Sequence, residues 1–334
     1  MWNREQIRRM NVTITGASGH LGANLVRRLL HDGEKVTVLA YEDSPSLKGL
    51  DIREIPGNVL EPASLRDAFG GADIVYHLAA MITLRRTSDP VAHRVNVEGT
   101  RNVAAACRAC NVQRLVYFSS IHAYSSYPRR EPIDESRPLC IHEDTLPYDR
   151  SKAAAEQLVR SAIDDGLDAV ILNPTGVIGP HDYEPSAMGR VLIDLRAGRF
   201  PVLLRGGFNW VDARDVADAA VRAAGHAAAG ARYILGGTYA TLADIAAEIA
   251  RTTRARVPKL ELPLWAAYGG VPFTLLWARL TKSKPRMTLA SLRALRHHRL
   301  VSHEKASREL GYAPRPLENT ISDTLAWFDA RQEA

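Results

Sequence analysis

Cysteine is scarce in this chain of 334 residues: there are 3, an odd number that cannot complete a disulfide framework. That scarcity suits a reducing compartment, and a cytoplasmic location is expected. No apolar run reaches the roughly 20 uninterrupted residues that a bilayer span needs. The most apolar window, 260–280, is broken by Pro263, Gly269, Gly270 and Pro272, so it predicts a buried or covering segment and no stable membrane insertion. Met1 to Arg9 is polar and charged, without the apolar stretch of a secretory signal. Internal repeats and low-complexity tracts are also missing, which excludes solenoids and repetitive tails.

Neither sign of charge dominates. Lys and Arg number 43 against 37 Asp and Glu, a net charge of +6 spread along the chain. The tight basic pairs outside helical patterns are Arg85-Arg86 and Arg129-Arg130, and a nucleic-acid surface is not expected. His297-His298 reads as surface. Cys107 and Cys110 form a C-x-x-C inside the helical run Asn96 to Cys110, with no second ligand pair nearby. Two small residues on a helix is the preferred reading over a redox pair, and no metal site is expected.

What is present is alternation. Residues 12–15, 35–40, 52–55, 73–77, 114–119 and 169–172 are short β-branched or aliphatic runs. Helical patterns separate them, such as Leu21, Leu25, Val26, Leu29 and Leu30, closed by Asp32-Gly33. Repeated β-α-β units with right-handed crossovers predict an α/β fold, a doubly wound parallel Rossmann sheet. After Pro174 the alternation gives way to Gly- and Pro-rich loops and short helices. The expected division is a dinucleotide-binding Rossmann domain over 1–175 and a smaller, irregular C-terminal substrate domain over 176–334. A helix over 212–224 is expected to return to the first. A strand at Tyr233 to Leu235 and a helix from Thr241, with Asp244 as its capping-box partner, complete the reading.

Thr13-Ile14-Thr15 leads directly into Gly16-Ala-Ser18-Gly19-His20-Leu21-Gly22 and then an amphipathic helix. Glycines here serve a tight turn, close approach of backbone to a pyrophosphate, and helix–strand packing. The helix N-terminus adds free N–H groups for the phosphates. The spacing G-x-x-G-x-x-G after Thr15 resembles the short-chain dehydrogenase/reductase superfamily. The choice between NAD and NADP lies at the end of the second strand, at Ala40-Tyr41, which offers neither an acid for a ribose hydroxyl nor an Arg for a 2′-phosphate. Glu42 and Asp43 would repel such a phosphate and Lys48 would attract it. The balance favours NAD.

Tyr148 and Lys152 stand at i and i+4, on one face of a helix that stops before Gly166. A phenol titrating near 10 is a poor acid or base at neutral pH, and a neighbouring ammonium is expected to lower that value. Ser120 ends the fifth strand, at the sheet edge where this fold places ligands, and its hydroxyl suits a substrate carbonyl or alcohol.

Taken in order, these pieces resemble an extended (atypical) short-chain dehydrogenase/reductase of the NAD-dependent epimerase/dehydratase group. The texture is nearest to dihydroflavonol-reductase-like and hopanoid-associated epimerase-like members. Val211 to Ala217 and Arg308 to Tyr312 extend the resemblance over nearly the whole chain. It implies that Ser120, not Ser119, is catalytic, since Ser120 precedes Tyr124 at the S-S-x-x-x-Y spacing. It also implies that Asn58-Val59 lies beside the adenine, although the family usually has Asp there. The turn His77-Leu78-Ala79-Ala80 would line the cofactor, Asn96 would open a helix and support the site, and Lys152 and Pro174 would lie along the dinucleotide. A homodimer is implied through the helices carrying Asn96 and Tyr148, with Ala104 to Ala106 and Ala153 to Ala155 as close-packing faces.

Two reactions fit: net ketone–alcohol redox with a Tyr/Lys/Ser proton relay, and nucleotide-sugar epimerisation or dehydration with bound NAD. Asn173 beside Pro174 resembles an amide that sugar epimerases use. Against that, Phe208-Asn209 stands where such enzymes often have Arg-Asp, although Arg190, Arg196 and Arg205 are near in sequence. Met188, Val191, Leu192, Phe208, Trp210 and Trp265 suggest a more apolar pocket, which favours the redox reading. His122, His181 and Tyr183 are further candidates for substrate contact. A non-catalytic dinucleotide sensor is the minor alternative, and the presence of Tyr148 and Lys152 argues against it.

Overall fold

In a computed structural model of the chain, residues 9–82, 89–141, 145–258, 260–266 and 300–332 are described below. Arg85-Arg86, His297-His298 and most of the apolar window 260–280 lie outside them, as does nearly all of the N-terminal Met1 to Arg9 stretch.

Seven parallel strands form the central sheet. They are β1 (Asn11–Thr15), β2 (Lys35–Ala40), β3 (Arg53–Pro56), β4 (Ile74–His77), β5 (Arg114–Phe118), β6 (Ala169–Pro174) and, after three short strands, β10 (Arg232–Leu235). Their spatial order is β10-β6-β5-β4-β1-β2-β3. The order reverses between β1 and β4, and that switch point is where a doubly wound sheet opens a crevice for ligands.

Helices cover both faces. On one, α1 (His20–His31) buries Leu25, Val26 and Leu29 and packs beside α7 (Ala213–His226). On the other, α2 (Pro62–Phe69), α4 (Gly99–Ala109) and α5 (Pro147–Asp164) enclose Leu65, Phe69, Val103, Cys107 and Val159. Each such aliphatic or aromatic side chain contributes about 1.5–3 kcal/mol by leaving water. Apart from the exposed edge strand β3, the sheet is buried on both sides, which is why its inner strands read as largely apolar runs.

The remaining elements are smaller. A three-stranded sheet joins β7 (Gly176–Ile178), β9 (Gly207–Asp212) and β11 (Thr238–Thr241), and a two-residue pairing joins β8 (Leu203–Leu204) to β12 (Glu261–Leu262). With α6 (Ala187–Arg196), α8 (Leu242–Thr253) and the C-terminal α10 (Leu317–Gln332) they enclose a core around Leu192, Trp210 and Ile249. A short α9 (Glu304–Leu310) packs near β10. The expected capping box at Thr241 and Asp244 is present in full. Among the described residues no helix is long and apolar enough to cross a membrane.

Three boundaries differ from expectation. The helix after β4 begins at α3 (Pro90–His93), capped by Asp89, and runs through a π-helical turn (Arg94–Glu98) into α4, so Asn96 sits inside it and does not open it. Pro90 at the first position and the Asp89 side chain supply the start signal. Strand β5 ends at Phe118, and Ser120 instead caps a 3-10 turn (Ile121–Ala123). The helix expected over 212–224 is Ala213–His226, with Asp212 as its cap. The alanine faces also turn inward: Ala104, Ala106 and Ala155 belong to the chain's own core, where α4 meets α5, leaving Ala105 exposed and Ala154 half-buried.

Candidate active site

The loop from Gly16 to Gly22 ends β1 and opens α1. Gly16 has φ +74°, and a Cβ on it would lie 2.5 Å from the Ala79 backbone nitrogen. A Cβ on Gly22 would lie 2.2 Å from the Gly16 carbonyl oxygen. Gly19 differs: the nearest protein atom to its Cβ position is 3.5 Å away. Two glycines therefore serve the chain's own packing, and the third leaves room beside the helix end. Gly22→Ala is expected to destabilise the fold by about 3 kcal/mol or more, since the clash is with backbone; a Tm equal to the parent's would contradict this close approach.

Gly19 caps α1 without a side chain, so the first-turn N–H groups of His20, Leu21 and Gly22 carry no side-chain cap. This donor set, with the open side of Gly19, fits a pyrophosphate. Ser18 is exposed on the turn, and its carbonyl accepts from the Ser46 hydroxyl at 3.0 Å. The His20 ring turns away, its Nε2 lying 3.1 Å from both the Gly179 and Pro180 carbonyls. Asn24 donates to the Pro180 carbonyl at 2.9 Å, and Arg27 donates to the Ser46 carbonyl and the Tyr183 hydroxyl. Tyr41 is 76% exposed at the end of β2, followed by exposed Glu42 and Asp43. Lys48 is exposed too. The Asn58 side chain accepts from Leu60 N at 2.9 Å, and Val59 packs on Gly99 at the start of α4.

Leu78 and Ala79 abut this turn, and Ala80 is exposed beside them. Here the structure reveals a chain of hydrogen bonds whose directions can be assigned. The Thr100 hydroxyl donates to the Asn96 carbonyl at 2.7 Å, so it accepts from His77 Nε2 at 3.0 Å. That leaves His77 Nδ1 to accept from the Thr15 hydroxyl at 2.7 Å, and Thr15 in turn accepts from Ala79 N. Burial, reinforced by the Lys152 charge, lowers His77 to about 3, so the ring stays neutral as this pattern requires. Asn96 continues the chain: its amide donates to the Met81 carbonyl and to Ser151 Oγ, and Ser151 donates to the Tyr148 carbonyl.

Tyr148 and Lys152 are both buried on α5. The Tyr148 phenol lies beside Ser120, whose Oγ accepts from His122 N at 3.2 Å. The expected lowering of the phenol is not found. Burial pushes it up to about 12, with the Ser120 hydroxyl opposing. Lys152 Nζ donates to the Phe118 carbonyl at 2.9 Å and lies 5.4 Å over the Tyr117 ring. Burial lowers Lys152 to about 8. His122 packs edge-on to Tyr148, ring centroids 5.8 Å apart, with Nδ1 3.1 Å from Asp149. Burial would lower this imidazole, but the Asp149 charge and hydrogen bond leave it raised.

The other candidates separate. Asn173 is fully buried, and its amide donates to the Ser120 carbonyl at 3.1 Å and to Glu156 at 2.8 Å. Pro174 is buried beside Leu235 of β10. Trp210, expected near substrate, is 1% exposed and donates to the Ala240 carbonyl within the core of the smaller sheet. Its size and its satisfied indole N–H make it a packing residue. Met188 lies half-buried against the same core. Trp265 is 75% exposed. His181 and Tyr183 stack on one another and meet Trp327 of α10. Cys107 is buried and its thiol pushed up, and the cysteines are free. Among the described residues no group of three or more His, Cys, Asp or Glu is placed to hold a metal ion. The sequence reading missed Glu156, Asp149 and Thr100. An acid on the otherwise small-residue face of α5 was the available signal for the first.

A parallel sheet with a glycine-lined helix end at its switch point, and a Ser–Tyr–Lys group one strand away, defines a dinucleotide-dependent enzyme scaffold. Residues 12–236 match the family model described as NAD dependent epimerase/dehydratase family, and the chain belongs to that family. The cofactor is accordingly a nicotinamide dinucleotide, NAD by the family's description. The chain is similar to sterol demethylase protein B of Methylococcus capsulatus, with 32% identity over 96% of this chain and 99% of that one. It is similar to a 2-alkyl-3-oxoalkanoate reductase of Stenotrophomonas maltophilia, with 30% identity over 91% and 95%. The crystal structure of gox2253 superposes with a TM-score of 0.84, at 30% identity, over 97% of this chain and 99% of that one.

Proposed function

We propose that the chain interconverts a ketone and a secondary alcohol on a small-molecule substrate of mixed or apolar character. The observation that carries this is the buried Tyr148 phenol beside Ser120, with Lys152 one helical turn along the same face. When bound, the dinucleotide supplies or accepts the hydride at the carbonyl carbon. Ser120 orients the substrate oxygen toward Tyr148. The phenol, at about 12, holds its proton at neutral pH. In the reducing direction Tyr148 therefore gives its proton to the substrate oxygen as that oxygen gains charge. The buried phenolate left behind costs less while Lys152 is charged. In the oxidising direction Tyr148 must first lose its own proton to solvent, and the phenolate, favoured by the Lys152 charge, then takes the alcohol's proton through the same contacts. His122, edge-on to Tyr148 and paired with Asp149, supplies a polar contact to substrate. The described part of the C-terminal region, from β7 through α8 and α10, is assigned the far side of the pocket.

Two facts weigh against a sugar nucleotide. The Asn173 amide such a ligand would need is already bonded to Ser120 and Glu156. Arg196 pairs with Asp329 and Arg205 approaches Glu261. The reductase named above also acts on a carbonyl. The test is purified chain with NADH or NADPH against a panel of ketones, beside UDP- and GDP-sugars. Cofactor oxidation with ketones is expected. Sugar isomers without net cofactor change would replace this reading with an epimerase, and tight cofactor binding without turnover would replace it with a sensor.

Lys152 gives the reaction a pH signature. Its ammonium is lost as pH rises through about 8, whereas Tyr148 at about 12 stays protonated. Ketone reduction is expected to be level below that point and to fall by about tenfold per unit above it. A kcat/KM profile flat to about pH 10 would remove Lys152 from the relay.

A further inference from the structure

Glu156 is 0% exposed, one helical turn beyond Lys152 on α5. An ionised carboxylate in such a place costs several kcal/mol unless it is fully partnered. Here one oxygen accepts from Ser119 Oγ at 2.6 Å and from Asn173 Nδ2 at 2.8 Å. The other accepts from the Arg160 guanidinium, with Nε at 3.1 Å. Asn173 also donates to the Ser120 carbonyl at 3.1 Å. A single carboxylate thus ties the end of β5, the end of β6 and its own helix together, and each tie leads to a residue of the site.

The groups around Lys152 are His77 from β4, Tyr117 and the Phe118 carbonyl from β5, and Tyr148 and Glu156 from α5. His77 is held neutral and both phenols are pushed up by burial. Glu156 is the one acid in that set, and i,i+4 spacing sets it on the face of Lys152. Around Glu156 itself stand Arg160, Ser119, Asn173 and the Tyr117 and Tyr124 rings.

We propose that Glu156 is a positioning residue, which keeps the Lys152 ammonium charged and fixes the Ser119–Ser120 backbone for proton transfer by Tyr148. The proposal rests on the Ser120–Tyr148–Lys152 reading above, and its first measurement does not depend on turnover. Burial lowers Lys152 and the Glu156 charge opposes that fall. Arg160 neutralises part of the same charge from the helix's more exposed side.

The two neighbours therefore have opposite effects. In the full chain carrying lysine labelled with carbon-13 at Cε, the Lys152 resonance is identified by its loss in Lys152→Arg. Its titration midpoint is then read by NMR. Glu156→Gln is expected to weaken proton binding by Lys152 by about tenfold. Arg160→Met is expected to strengthen it, and this residue's partial exposure makes the variant tolerant should Glu156→Gln fail to fold. The alkaline limb of turnover should move with the midpoint in each variant. A Lys152 midpoint unchanged in either folded variant overturns the proposal. Wild-type chain that titrates as expected but turns over no ketone overturns the redox reading alone.

Discussion

Tyr148→Phe is expected to lower turnover by about 10²–10⁴-fold, the range that a positioned general acid supplies. The substitution removes one oxygen from a buried ring and leaves the ring's packing in place. What is lost is the hydroxyl whose proton is held at about 12 beside Ser120. Cofactor affinity should barely change, because the phosphate turn lies on α1 and its glycine contacts involve Ala79, Ala17 and Gly16. Stopped-flow reduction of a ketone, with dinucleotide binding measured by fluorescence titration, separates the two effects. Turnover within threefold or so of wild type would remove Tyr148 as the proton donor, since even the low end of that range is about a hundredfold.

The second large effect falls on binding. Gly19→Val adds a branched side chain where the protein itself offers room, its nearest atom to that Cβ being 3.5 Å away. The chain should therefore fold with an unchanged Tm. A pyrophosphate at the α1 N-terminus, however, would meet the new methyl groups. Overpacking of about 1–3 kcal/mol corresponds to roughly five- to 150-fold weaker dinucleotide binding. Unchanged affinity would move the phosphates away from this turn. The contrast with Gly22 is informative, because there the same kind of change strikes the Gly16 carbonyl and should cost folding instead.

The sheet was legible because a strand buried on both faces has no choice but to be apolar, and its connecting helices must carry a 3.6-residue stripe. The Gly16 to Gly22 turn was legible for a related reason, since few other residues tolerate its backbone. Trp210 was not: an aromatic in a glycine-rich region reads equally as pocket lining or core, and only the Ala240 carbonyl at its indole decides. The Tyr148 phenol was misjudged because helical spacing gives direction and not burial. Lys152 reaches the Phe118 carbonyl instead, and desolvation sets the phenol. Asn96 was misplaced because the Asp89-Pro90 start signal was overlooked in favour of the Asn itself. Glu156 escaped notice because its partners, Ser119 and Asn173, lie on strands far off in sequence.

The neutral imidazole of His77 gives the site an unusual rigidity. Every hydroxyl and N–H from Ala79 through Thr15, His77 and Thr100 to the Asn96 carbonyl points the same way, and reversing one link would leave a buried donor facing a donor. The Gly16 to Gly22 turn and the helix that carries the Tyr148 phenol therefore share one hydrogen-bonded spine anchored in the sheet.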